Sequence, residues 1–250
     1  MNTSLKRLGH AVFAAAVLSA CGGGGDSSGA GPGVPAGQAA PATLTEARIV
    51  ADINLSNAGF DIGPDGRPVS NQRPAGTWRW PNTPDQPLLV HIPAPGNAVE
   101  QDLANKVNAA IKTYNARLGA YLVLEATSVL PATANVIQVG YNNAWIPPGS
   151  TDYNSYCANV SNAAGFGSTI GPDSRNAIRN PVFMNLGNNH CNVTQEIVNH
   201  EFGHALGLAI HFDVFGNTTS PDNFWDILAT LYGNPASTRI ENLVVKRAAN

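Results

Sequence analysis

The sequence predicts an α+β domain: a mixed, twisted sheet of about five strands, two long helices and a small irregular C-terminal subdomain. Three observations predict it. Short apolar or β-branched runs alternate with helical periodicities between residues 87 and 211. The second helical run closes on a glycine, Gly207. The apolar content, 43% of 250 residues, is ordinary for a chain with one core.

Residues 44–86 carry the weakest signal; Trp78 and Trp80 stand in a Pro-flanked run that reads as irregular structure or an edge strand packed on the sheet. Residues 87–93 (PLLVHIP) form a short buried strand. In residues 97–118, Val99, Leu103, Val107, Ala110, Ile111 and Tyr114 recur at helical spacing, with Asn97 and Glu100 as a capping pair and Gly119 as the stop. Residues 121–127 and 135–141 are strands, bounded by Pro, Gly and Asn. Residues 142–162 are expected to be a surface loop, 163–170 (AAGFGSTI) a Gly-weakened edge strand, and 180–186 (NPVFMNL) a further strand. Residues 194–208 then form a helix through Ile197, Val198, Phe202, Ala205 and Leu206. No internal repeat is present.

Only 12% of the residues are charged and the net charge is −3, so the chain lacks the basic surface that neutralises a phosphate backbone. Nucleic acid is therefore not an expected partner. Lys6 and Arg7 precede an apolar stretch at 11–20 that is too short to span a bilayer, the pattern of a secretory signal peptide. It ends Leu18-Ser19-Ala20-Cys21, which resembles the bacterial lipobox; an ordinary signal peptide that meets a cysteine is the alternative. By that resemblance Cys21 carries the lipid, and Gly22 after it favours the outer membrane. Residues 22–43 are Gly, Ser, Pro and Ala, too poor in apolar side chains to offset the entropy of ordering. The expected organisation is a signal peptide at 1–20, a lipidated cysteine and tether at 21–43, and one domain at 44–250. The membrane is touched through the anchor alone.

Cys157 and Cys191 remain after Cys21, and in an oxidising compartment they are expected to pair as a disulfide. Closing that loop contributes about 3–4 kcal/mol in the chain-entropy model. Zinc ligation by the two thiolates is the rival, although neither belongs to a close CxxC pair.

The strongest chemical signal is His200-Glu201-Phe202-Gly203-His204 within the last helix. Histidines four apart stand one turn above each other, so both imidazoles meet one ion while the glutamate between them projects beside it. The longer stretch, HEFGHALGLAIH from His200 to His211, resembles the metzincin zinc peptidases, and HEFGHALGL is similar to their matrixin branch. The specific likeness covers only this dozen residues, although the order of elements over 87–211 also matches the clan's upper subdomain. The resemblance implies one catalytic Zn2+ held by His200, His204 and His211, with Glu201 as general base towards a zinc-activated water and a protein or peptide as substrate. It implies Ca2+ as a further cofactor too, but no acidic loop is distinctive enough to assign it. A monomer is expected.

Two departures stand out. Three residues, Leu208, Ala209 and Ile210, separate Gly207 from His211 where the clan has two, so Asp213, Asp222 and Asp226 rival His211 as third ligand. Among them Asp226 is favoured, because residues 222–231 read as a further helix. The clan's methionine beneath the metal is missing after His211, and Leu228 or Leu231 is expected to fill that volume. Tyr232 sits where the clan often has a tyrosine, either stabilising the oxyanion or simply packed. Phe212, Phe215, Phe224 and Trp225 are candidates to wall the site or belong to the core. The alternative to a peptidase is a metzincin-like surface lipoprotein that binds a partner without catalysis.

Overall fold

The structure, a computed structural model, describes residues 44–62, 68–70, 76–132, 135–162, 170–213, 215–216 and 223–249. The signal peptide, Cys21, the tether, residues 163–169 of the expected edge strand and Asp222 lie outside the described residues.

Residues 44–62, expected to be irregular structure or an edge strand, begin instead with a helix, α1 (Glu46–Ile53), which continues as one wider turn over Asn54–Ala58. Thr45 caps it by accepting the Arg48 amide at 3.2 Å. Ile49 and Ile53 are buried, four apart on one face. A hairpin follows, β1 (Phe60–Ile62) against β2 (Pro68–Ser70). Trp78 and Trp80 then enter the core from irregular chain, both fully buried, in keeping with one of the two expected readings.

The main sheet comprises β3 (Leu88–His91), β4 (Leu124–Thr127), β5 (Val136–Tyr141), β6 (Ala158–Ser161) and β7 (Val182–Leu186). Its order is β4-β3-β5-β7-β6, parallel except for β6 against β7. The sheet is therefore mixed and five-stranded, as expected. β6 corrects the expectation of a loop at 142–162: Asn159 and Asn185, unfavourable in strands by type, pair in register within it.

Between β3 and β4 runs α2 (Ala98–Leu118). Asn97 caps the helix as the sequence indicates, accepting the Glu100 amide at 3.0 Å, while the Glu100 carboxylate accepts from the Gly96 amide, one residue before the cap. Leu103, Val107, Ala110, Ile111, Tyr114 and Leu118 form its buried stripe, packed on β4 and on the two C-terminal helices, α3 (Gln195–Ala205) and α4 (Asn223–Tyr232). The C-terminal part is not a loose appendage. Residues 224–232 of α4 are all buried, because its apolar faces pack against α1 and α2 and the face with Asp226 and Thr230 is covered by the tail. The extended tail is then tied back, with Thr230 and Asn234 side chains bonded to the backbone of Lys246 and Val244.

Cys157 and Cys191 form a disulfide with Cα atoms 5.8 Å apart, closing a separation of 34 residues. It joins the start of β6 to the segment that leads into α3. No helix among the described residues is long and apolar enough to cross a membrane.

Candidate metal centre

The site is built on α3. Thr194 caps the helix, accepting the Ile197 amide at 3.3 Å, and Val198, Phe202 and Ala205 anchor its inner face in the core. Its far end stops in a left-handed glycine turn. Gly207 has φ +102°, its amide bonds to His204 O at 2.8 Å, and the Leu208 amide bonds to Gly203 O at 3.1 Å. That pairing closes the helix and reverses the chain. Two further carbonyls of the terminal turn are satisfied by core side chains: Trp80 Nε1 donates to Ala205 O at 2.8 Å and the Tyr232 phenol to Leu206 O at 3.0 Å.

The reversal brings His211 back over the helix. Its Nε2 lies 3.1 Å from His200 Nε2 and 3.0 Å from His204 Nε2. His200 and His204 are half-buried and His211 is exposed, so the group opens to one side. Burial, reinforced for His200 by the neighbouring His211, lowers the His200 imidazole to about 3, and the same causes push His204 well down; burial alone lowers His211. All three rings are thus neutral near pH 7, the form that offers a nitrogen lone pair. His204 Nδ1 is 2.6 Å from Leu208 O, which accepts, so the proton sits on Nδ1 and Nε2 is left to coordinate.

Glu201, between the two helical histidines, is buried, and its Oε2 has no hydrogen-bond partner among the described residues. Burial raises its carboxyl to about 8. A buried carboxylate oxygen without a partner is costly unless something absent from the polypeptide satisfies it. Three neutral imidazoles with this spacing fit a single metal ion. Ring nitrogens bonded at about 2.1 Å to one tetrahedral ion stand roughly 3.4 Å apart, close to the spacing found.

Phe215 contacts all three rings, with centroid distances of 4.6 Å to His200, 4.5 Å to His204 and 4.8 Å to His211. It is backed by Phe212 and Phe224. Leu228 and Leu231, expected in the volume beneath the metal, are fully buried core residues, and an aromatic side chain from the loop, Phe215, packs against the imidazoles. Gly203 belongs to the same packing. A Cβ there would come within 2.8 Å of the Phe224 ring and 3.3 Å of Phe215.

Two of the acidic rivals to His211, Asp226 and Asp213, have other partners, and Asp222 lies outside the described residues. Asp226 accepts from Arg247 Nη1 at 2.6 Å and from the Ala248 amide at 2.9 Å, so it secures the C-terminal tail. Asp213 is exposed and stands 3.7 Å from Arg48. Tyr232 is not brought to the histidines either, since its buried phenol is committed to Leu206 O beneath the helix end and its ring lies under Arg79. Two residues the sequence reading passed over, Ser56 and Asn57, touch the backbone of the Gly207–Ile210 loop. Their signal was faint: polar residues after Ile49 and Ile53, at the end of a helix the reading missed.

Fold and site together define an α+β domain with a three-histidine group able to hold a metal ion. Comparison of the sequence with protein-family models gives no match, and comparison with curated proteins gives none either.

Proposed function

We propose that the chain is a zinc-dependent endopeptidase of metzincin type, tethered to the bacterial cell envelope. The observation that carries the reading is the convergence of three neutral imidazoles on an HExxHxxG helix and turn whose Glu201 is buried with one carboxyl oxygen unpartnered among the described residues. Zinc is favoured over other first-row ions because an all-imidazole donor set suits it and peptide hydrolysis needs no redox change. When bound it supplies a Lewis acid that polarises a carbonyl and acidifies water.

The protein's own groups supply the rest. His204 is oriented by its Nδ1–H to Leu208 O, and the Phe215 ring limits how far the three imidazoles can tilt. Burial holds the Glu201 carboxyl at about 8, and the charge of a bound cation would lower it; once ionised, Glu201 would take the proton of the attacking water as the C–O bond forms and deliver it to the amine as the peptide C–N bond breaks. A general base placed between two ligands has no use in a module that only binds a partner. Residues 1–43, with Lys6, Arg7, the 11–20 apolar stretch and Cys21, support secretion, lipid attachment and an outer-membrane location for a monomer whose partner is its peptide substrate.

The test is cleavage of an unfolded protein substrate by the purified chain with added zinc, beside Glu201→Ala under identical conditions. Cleavage by the wild type, with a fall of at least about 1,000-fold in the variant, is expected. Zinc binding without cleavage of several unfolded substrates would overturn the enzymatic reading and leave a binding module.

A further inference from the structure

The loop that carries His211 is held by the far end of the chain. Ser56 and Asn57, fully buried in the wide turn that ends α1, direct their polar groups to it. Asn57 Nδ2 donates to Gly207 O and to Trp78 O, both at 2.8 Å, and Asn57 Oδ1 accepts the Trp78 amide at 3.0 Å. Its carbonyl also accepts the Trp78 indole N–H. Ser56 O accepts the Ala209 amide at 2.9 Å and Ser56 Oγ accepts the Ile210 amide at 3.3 Å. On the other side of His211, Asp213 faces Arg48 of the same helix.

The three residues before His211 have no regular structure of their own. A ligand at the end of such a segment is only as well placed as the backbone before it, and a mobile segment loses affinity to the entropy of fixing it. Ala209 and Ile210, the two residues next to His211, are bonded through their amides to one serine. The wide turn lets the end of α1 meet that backbone, as such helix irregularities often do near functional sites.

We infer that Ser56 and Asn57 are positioning residues for His211, and that the end of the N-terminal helix fixes the loop that brings the third imidazole to the other two. The inference deepens the proposed zinc reading, on which it rests for the metal arm of its test alone.

The experiment uses the full chain, Ser56→Ala and Asn57→Ala, each alone and combined with His211→Ala. Zinc affinity is measured by competition with a chromophoric chelator, and amide hydrogen exchange is followed in peptides covering residues 207–211. Zinc affinity is expected to fall about 10-fold in Ser56→Ala and about 100-fold in Asn57→Ala, the range for partners that act through a ligand. Neither change should weaken binding further once His211 is alanine. Exchange at Ile210, whose amide loses the Ser56 hydroxyl, should quicken in the metal-free Ser56→Ala chain at an unchanged melting temperature, while Ala209, bonded to the Ser56 carbonyl that alanine keeps, serves as the internal reference. Equal weakening with and without His211, or wild-type affinity and exchange in Ser56→Ala, would overturn the inference. Should Asn57→Ala fail to fold, Ser56→Ala decides alone. Should the wild type bind no zinc, the zinc reading fails by itself, and exchange in the metal-free chain still decides whether Ser56 holds the loop.

Discussion

His204 Nδ1 and the carbonyl oxygen of Leu208 lie 2.6 Å apart, joining the last turn of α3 to the first residue beyond its glycine stop. This contact couples the helix end to the chemistry of the site. Leu208 is placed by the left-handed Gly207, and its carbonyl then fixes both the tautomer and the tilt of His204. The turn therefore serves two purposes: it sends the chain back towards His211 and it orients an imidazole already on the helix.

His211→Ala should weaken zinc binding by about 100-fold or more, beyond what loss of an outer partner does, leaving the measurable residual affinity of the two helical histidines. Asp226→Asn should leave zinc stoichiometry intact. It should instead lower stability by about 1–3 kcal/mol, since Arg247 is 44% exposed and water screens part of the lost attraction. Metal analysis and urea midpoints of the two variants check both halves. The reverse pattern would make the aspartate the ligand.

Tyr232→Phe should cost about 1 kcal/mol of stability and little activity, because the phenol donates to a buried backbone carbonyl, Leu206 O. A fall in kcat of about 100-fold at unchanged stability would instead place the hydroxyl on the reacting carbonyl.

Gly203→Ala tests the packing beneath the histidines. At an exposed helix position this change is expected to stabilise by about 1 kcal/mol through helix propensity. Here the new methyl would meet the Phe224 and Phe215 rings, and overpacking of about 1–3 kcal/mol reverses the sign. A lower thermal midpoint and weaker zinc binding together are the expected result; a more stable variant would show that the rings yield freely.

Reduction of Cys157–Cys191, or its replacement by two serines, should lower stability by about 3–4 kcal/mol and the thermal midpoint by about 10 °C. Because the bridge lies just before α3, zinc affinity should fall as well. Thermal melts with and without reductant, each repeated with zinc, measure both effects.

Much of this fold was legible because its signals are local. Asn97 and Glu100 mark the start of α2, Leu103 to Tyr114 repeat at helical spacing, and the Val- and Ile-bearing runs at 88–91 and 136–141 are strands in the sequence and in the fold. The misses have local causes too. Thr45, Ile49 and Ile53 outline α1, but Asn54, Ser56 and Asn57 dilute the pattern within one turn. β6 carries Asn159 and Ser161, and it is a strand because β7 lies beside it.

The sequence by itself determined that two imidazoles and a carboxylate share one turn of a helix, because the spacing His200, Glu201, His204 is a property of 3.6-residue periodicity and needs no other part of the chain. It also determined where the helix stops, since only glycine adopts the φ of +102° at Gly207 cheaply. Which side chain joins the pair was a tertiary decision. His211, Asp213 and Asp226 were all chemically able, and the choice fell to long-range contacts: Ser56 and Asn57 hold one loop, while Arg247 and Ala248 occupy Asp226. The same holds for Phe215, whose ring against three imidazoles is backed by Phe212 and Phe224. Bonds between residues some 150 positions apart leave no periodicity to read, and they exist only once the chain has closed on itself.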